Sequence, residues 1–350
     1  MTRKNIFRLI AFILCLAAIA ACLLLVRSLS SSLIGQTAAE LWRGGDMKYV
    51  QQSAFISEDK ELNVDGVRMI RHGIDQALVS ASIDAEKESA RLWIDAYSGE
   101  TSVSASADGK SVNARAICTG GDFFTFNPID MLSGWYYSDA DVMDDGVIID
   151  KNLAWQLYGG FELSEMSIDI NGTQCLVVGV ADTQSSDILA DAYGEEPTVY
   201  MPMRLCERLG MATPVTSYSM ILPNPVKGFA EKIFTENSGL EKTDYEIVQN
   251  TSRFSVLSNL KRLADTGTRA QRTTKIYFPW WENGARYSES WCTLLTAIAA
   301  LFTLWPLIYA VMLISSALRR LRPLNKLKTL FFRVINKENI NIMEGNNEDN

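Results

Sequence analysis

Catalytic and metal chemistry needs a few residue types held at fixed spacings, and this chain supplies few of them. His72 is its single histidine. It sits beside Arg71 with no cysteine or second imidazole nearby, so neither a zinc tetrad nor a nucleophile, imidazole and carboxylate triad has its parts. Asp139, Asp141, Asp144 and Asp145 offer the oxygens a hard cation wants. Met143, however, occupies the position of a third calcium-loop ligand, and no glutamate closes the loop near Asn152. Turn capping accounts for the string. Asp108-Gly109-Lys110-Ser111 ends like a phosphate-binding loop, but Ser104 stands where the leading glycine belongs, and the flanks read as a β-hairpin. The sequence therefore predicts no catalytic residue, no cofactor, no metal site, and a protein that is not an enzyme.

Six cysteines are present. Cys15, Cys22 and Cys292 fall in apolar runs, leaving Cys118, Cys175 and Cys206 between them, an odd count that allows one disulfide at most. Cys118 with Cys175, on strands expected to be neighbours, is the candidate pair. Buried free thiols are the preferred expectation, because a domain this large needs no staple.

Hydrophobic content of 47% and a formal charge of -8 fit one or two folded domains plus membrane segments. No basic domain is present to meet a nucleic-acid backbone. Arg3, Lys4 and Arg8 precede an almost uncharged run over 9–26, close to the length that crosses a hydrocarbon core of about 30 Å. A cleaved signal is the competing view, since Ile19-Ala20-Ala21-Cys22 resembles a lipoprotein box, but Leu23 to Val26 continue the apolar run past the cysteine.

A second chargeless run covers 292–318 and contains Pro306, where a kink is expected. Arg319, Arg320, Arg322, Lys326 and Lys328 follow it. Positive charge at both outer ends places the two termini in the cytoplasm and residues 28–290 outside. Trp280, Trp281, Tyr287 and Trp291 gather before the second run as a membrane-interface belt; for Trp280 and Trp281 the alternative is packing at the base of the outer domain. All but four of the 41 carboxylates lie on the outer segment, the exceptions being Glu338, Glu344, Glu348 and Asp349. After Pro323 the tail carries Leu327, Leu330, Phe331, Val334 and Ile335 along one helical face, suited to the inner leaflet or to a partner subunit.

Within the outer segment, 35–43 reads as a helical stalk, 49–57 as a strand and 64–79 as a helix with Val67, Ile70, Ile74, Ala77 and Leu78 on one face. Strands at 91–95, 101–107 and 111–118 are expected, joined by Ser98-Gly99 and Asp108-Gly109 turns. Residues 187–197 read as a polar loop. A strand at 198–202, a short helix at 203–209, and a strand, helix, strand unit at 218–222, 227–235 and 245–248 follow. A helix over 250–272 leads back to the membrane.

The stretch from Gly121 to Asp182 is the most specific. Val147 to Ile149 form a β-branched run, and Leu153, Ala154 and Leu157 recur at helical spacing before Gly159 and Gly160 stop the helix. Asn171-Gly172 supplies the favoured two-residue turn between strands at 167–170 and 174–180. With Phe123 and Phe124, Leu132, Gly134 and Trp135, Asp139 and Asp141, Tyr158, and Val178-Gly179-Val180, the order of these parts resembles the periplasmic core domain of MacB-like ABC transporter permeases.

The resemblance implies an α+β outer domain of two subdomains between two transmembrane helices, one inserted in the other over about 100–216. It implies a bacterial cell membrane and a component of an ABC transport system in which the outer domain couples membrane-helix movement to substrate or partner handling. Permeases of that family usually have four membrane helices, and two cannot enclose a pathway. A separate ABC ATPase, further permease subunits and the lipid bilayer are therefore the expected partners, with homo- or hetero-oligomers open and nucleic acid excluded. The alternative is a membrane-anchored sensor or scaffold that binds an envelope protein or peptide.

Overall fold

The computed structural model describes residues 3–42, 48–60, 62–83, 91–141, 143–163, 165–182, 191–211, 213–269 and 276–345, with 4, 5, 41, 264–269 and 320–345 described by backbone alone. Arg43 of the expected stalk and 187–190 of the expected loop lie outside the described residues. Two compact units result. One contains Met1–Leu25 and Leu294–Asn350, the other Val26–Thr293.

The first unit holds most of helix α1 (Arg3–Ser31) and the membrane-length part of the last helix. Both helices are long and apolar enough to cross a membrane. Within this unit the Phe12 and Tyr309 rings lie 5.6 Å apart.

The second unit is built on strands β1 (Tyr49–Ile56), β2 (Ile94–Ala107), β3 (Lys110–Gly121), β4 (Asp130–Gly134), β5 (Gly146–Asp150), β6 (Ser167–Ile170), β7 (Thr173–Asp182), β8 (Thr198–Pro202), β9 (Ser217–Pro223) and β10 (Tyr245–Gln249). Their order is β10-β1-β9-β2-β3-β8-β5-β7-β4, and β6 pairs with both β2 and β7. Those last two pairings close β2, β3, β8, β5, β7 and β6 into a ring.

Strand alternation distributes side chains between two cores, because successive residues point to opposite faces. Val147, Ile149, Val199 and Met201 join one core, while the intervening Ile148 and Tyr200 join the other. Helices α3 (Val64–Ser80) and α7 (Phe229–Asn237) pack on the first, α3 through Val67, Ile70, Ile74 and Leu78 at steps of three and four. The second core takes α2 (Ala38–Trp42) and α4 (Phe123–Phe126).

Three expectations change. Ser98-Gly99 is not a turn: β2 passes straight through it, pairing with β9 before Gly99 and with β3 along its whole length after Ala96. A Cβ on Gly99 would come within 2.1 Å of the Pro214 carbonyl oxygen, so the glycine allows a close approach. The stalk is a 3-10 turn (Ile34–Thr37) running into α2, whose Ala38 and Ala39 are buried. Finally, the helix expected from residue 250 starts at Val256 as α8 (Val256–Arg269). The two-residue turns form as read, with Asp108 and Gly109, and Asn171 and Gly172, all at positive φ.

Asp150 ends β5 and caps α5 (Lys151–Tyr158): its Oδ1 accepts from the Leu153 N–H at 2.8 Å and the Thr198 N–H at 3.1 Å. The residue is fully buried. Burial pushes its carboxyl up to about 6 against the pull of those bonds. The folded chain thus binds a proton that the unfolded chain releases near pH 4, so this contribution to stability is present in acid and is lost as pH rises through about 6. Denaturant unfolding of Asp150→Asn beside the parent should show the difference shifting toward the Asn chain by roughly 2.5 kcal/mol between pH 4 and 7.5. A difference that stays constant across that range would refute the raised pKa.

Candidate functional site

Glu282, Arg286 and Glu289 fall at i, i+4 and i+7 at the start of α9 (Trp280–Gly345), which places them on one helical face. That face meets Arg253, in the turn between β10 and α8. Arg253 is 3% exposed and Glu282 0%. Its guanidinium donates to both Glu282 carboxylate oxygens, to Glu289 Oε1 and to Gln36 Oε1, each at 2.8 Å. Arg262 from α8 reaches the same Glu289 oxygen at 2.7 Å. Arg286 pairs with Glu282 at 2.7 Å and with Glu246 of β10 at 2.6 Å, and its guanidinium lies 3.7 Å from the centroid of the Phe278 ring.

Three arginines face three glutamates, so burial leaves no net charge. Burial pulls the Arg253 guanidinium down, but the adjacent Glu282 and Glu289 carboxylates outweigh it and hold it above its ordinary value. The cluster reaches the N-terminal connection through Gln36, whose Oε1 also accepts from Asn250 Nδ2 at 2.7 Å. Gln51 Nε2 adds a bond to the Gly35 carbonyl at 2.6 Å. One polar network thereby joins the connector after α1, strands β1 and β10, α8 and the first turns of α9.

Trp280 and Trp281 tie the same turns to the ring of strands. Both are buried, at 4% and 8% exposure, and belong to the second core. Trp281 meets Phe123 edge-on at 5.4 Å and Trp280 meets Tyr193 at 5.2 Å. This corrects the expectation of a four-residue interface belt: Trp280 and Trp281 pack the base of the outer domain, whereas Tyr287 and Trp291 are 55% and 45% exposed. Aromatic pairs of this kind add about 0.5–1.5 kcal/mol each beyond area burial.

The remaining sequence-derived candidates are dispersed. His72 is exposed on α3 with its Nε2 2.9 Å from Gln76 Nε2. Asp141 caps a local turn by accepting from the Ser138 N–H, Asp139 accepts at long range from the Gly121 N–H at the end of β3, and Asp144 lies 3.9 Å from Arg204. Arg3, Arg8 and Arg319 are exposed in the first unit; the side chains of Lys4, Arg320 and Arg322 lie outside the described set.

Cys118 bonds to Cys206, not to Cys175, which stays a buried thiol. Parallel pairing of β8 with β3 sets Met201 beside Cys118, and α6 (Met203–Arg208) then turns Cys206 back over it. Cys175 lies on β7, with β8 and β5 between it and β3. Three strand spacings of about 4.8 Å exceed the reach of a disulfide.

A concavity of about 790 Å³ lies between α3 and the ends of β2 and β3. Arg71 pairs in its wall with Asp95 at 2.7 and 2.9 Å and Arg91 with Asp122 at 2.9 and 2.6 Å, while Asp75 accepts from the Trp93 indole N–H and Asp139 from the Gly121 N–H. Among the described residues no group of three or more His, Cys, Asp or Glu could hold a metal ion. The base network, by contrast, pairs every charge it contains, and so it fixes geometry.

Sequence reading passed over Arg253, Glu282, Arg286, Glu289 and Gln36. The available signal was the Glu, Arg, Glu spacing immediately before a chargeless run.

Residues 8–228 match the family model of the MacB-like periplasmic core domain. The chain belongs to that family. It thus contains a MacB-like periplasmic core domain, and two helices of membrane length stand in the same chain. The periplasmic region of MacB from Actinobacillus actinomycetemcomitans is 15% identical, with a TM-score of 0.40 over 64% of this chain and 94% of that one. The extracellular domain of the noncanonic ABC-type transporter YknZ from Gram-positive bacteria is 13% identical, with a TM-score of 0.37 over 57% of this chain and 100% of that one. No curated protein matches the chain.

Proposed function

We propose that this MacB-like chain is a membrane component of an ABC transport system whose outer domain moves with its membrane helices and so handles an extracytoplasmic substrate or partner. The observation that carries the reading is the double anchorage of α9. Its first turns are held by Arg253 to β10, α8 and the Gln36 connector, and by Trp280 and Trp281 to the ring of strands, and the same helix continues unbroken into the membrane-length segment. A displacement of the helix must pull on both parts of the outer domain. The chain has no catalytic role in this scheme, and a separate ATPase with further membrane subunits supplies the energy and the pathway.

Both termini face the cytoplasm, as the flanking arginines and lysines favour. The Cys118–Cys206 bond supports placement of the outer domain in an oxidising compartment. In a chain whose four free cysteines are replaced by alanine, an impermeant maleimide added to intact cells should label Lys227→Cys; labelling of Asn347→Cys there would overturn the topology.

Extraction in mild detergent should bring an ATPase subunit with the full chain, and ATP should change hydrogen exchange over 280–290 in that complex. An outer-domain partner recovered without any ATPase would favour the sensor or scaffold reading instead.

A further inference from the structure

Helix α8 is amphipathic in an inverted sense. Asn259 is fully buried and Arg262 is turned toward the ion network, where it meets Glu289 at 2.7 Å. Val256, Leu257, Leu260 and Leu263 are exposed at 48%, 63%, 39% and 47%. Steps of one, three and four gather these four on one stripe. A surface helix of a water-soluble domain carries the opposite arrangement, with its apolar stripe turned to the core. The stripe is therefore built for a non-aqueous surface.

Its position indicates which surface. Arg262 fixes α8 beside Glu289, three residues and about 4.5 Å of helix rise before Cys292, where the chargeless run begins. At the same height on α9, and on a face away from Glu282 and Glu289, Tyr287 and Trp291 are exposed with ring centroids 6.4 Å apart. Amphipathic rings of this kind favour the headgroup zone. Lys261 is exposed beside the apolar stripe and suits lipid phosphates.

We infer that α8 lies in the outer leaflet as an interfacial helix, its Val256, Leu257, Leu260 and Leu263 stripe in the headgroup and acyl boundary, with Tyr287 and Trp291 anchoring α9 at the same depth. The lipid surface then holds the base of the outer domain from one side while the Arg253 and Arg262 ion pairs hold it from the other. The inference rests on α9 entering the membrane near Cys292.

An environment-sensitive nitrobenzoxadiazole reporter tests it. The full chain, with its four free cysteines replaced by alanine and the Cys118–Cys206 bond kept, receives single cysteines at Leu257, Leu260, Lys261 or Leu301. Each labelled chain enters nanodiscs of phosphatidylethanolamine and phosphatidylglycerol containing a lipid with a nitroxide near the top of its acyl chain. Reporters at 257 and 260 should emit to the blue of the one at 261 and be quenched about twofold or more relative to it. Water-like emission at 257 and 260 would overturn the inference, as would blue-shifted emission that the nitroxide lipid does not quench, the mark of a protein partner on this face. The reporter at Leu301 separates the two levels: quenching there without quenching at 257 and 260 refutes the interfacial helix alone, whereas none at 301 refutes the membrane-spanning reading beneath it.

Discussion

Replacing Arg253 with methionine should destabilise the outer domain by about 3–5 kcal/mol, because it leaves Glu282, fully buried, facing Arg286 alone, and removes one of the two cations on Glu289. Arg68→Met breaks an ion pair too, with Asp65, but both of those side chains are more than two-thirds exposed, and a change within about 1 kcal/mol is expected. Denaturant unfolding of the full chain in detergent measures both. The paired change Arg253→Met with Glu282→Met is more telling. It leaves Glu289 with Arg262 and Glu246 with Arg286, so no charge stays buried without a partner. Most of the lost stability should return. If the double variant is as unstable as the single one, the cost comes from lost packing and not from an uncompensated charge. For the transport reading, the double variant is the useful one: with its stability regained it should fold, yet it releases the link from α9 to the β10 turn.

The second large effect concerns Cys118 and Cys206. Their bond closes a loop over a separation of 88 residues, for which chain entropy alone suggests a contribution of about 4–5 kcal/mol. Serine at both positions should lower the melting temperature by several degrees and abolish its response to reductant. Cys175→Ser, at a buried thiol with no disulfide partner, should cost much less and leave the reductant response intact. Equal losses in the two variants, or a parent insensitive to reductant, would exclude the bond as a stabilising element.

Much of the fold could be read one segment at a time. The ends of α5 follow from Asp150 as its N-cap and Gly159 at positive φ as its C-cap, both local to the helix. The strands at 198–202 and 167–170, the helix at 64–80 and the two hairpin turns come from periodicity and turn chemistry within windows of a few residues. The two membrane-length runs are legible for the same reason, since composition over about 20 residues decides them.

What only the tertiary structure decided lies at long range. Gln36 and Arg253 are 217 residues apart and meet because β1 pairs with β10, which no local pattern encodes. Cys118 took Cys206 because β8 entered the sheet beside β3, and the sheet order is not a property of either cysteine's neighbourhood. Ser98-Gly99 has turn chemistry, yet pairing with β3 on one side and β9 on the other kept β2 extended. Trp280 and Trp281 satisfy the same composition rule as Tyr287 and Trp291, and they differ only in having Phe123, Tyr193 and Tyr200 to pack against. The sequence by itself thus determined most of the helices, strands and membrane runs, because those depend on near neighbours, but not β4, α4 or the unbroken course of β2. Which faces became buried, and therefore where the joint between helix and outer domain sits, depended on contacts between segments hundreds of residues apart.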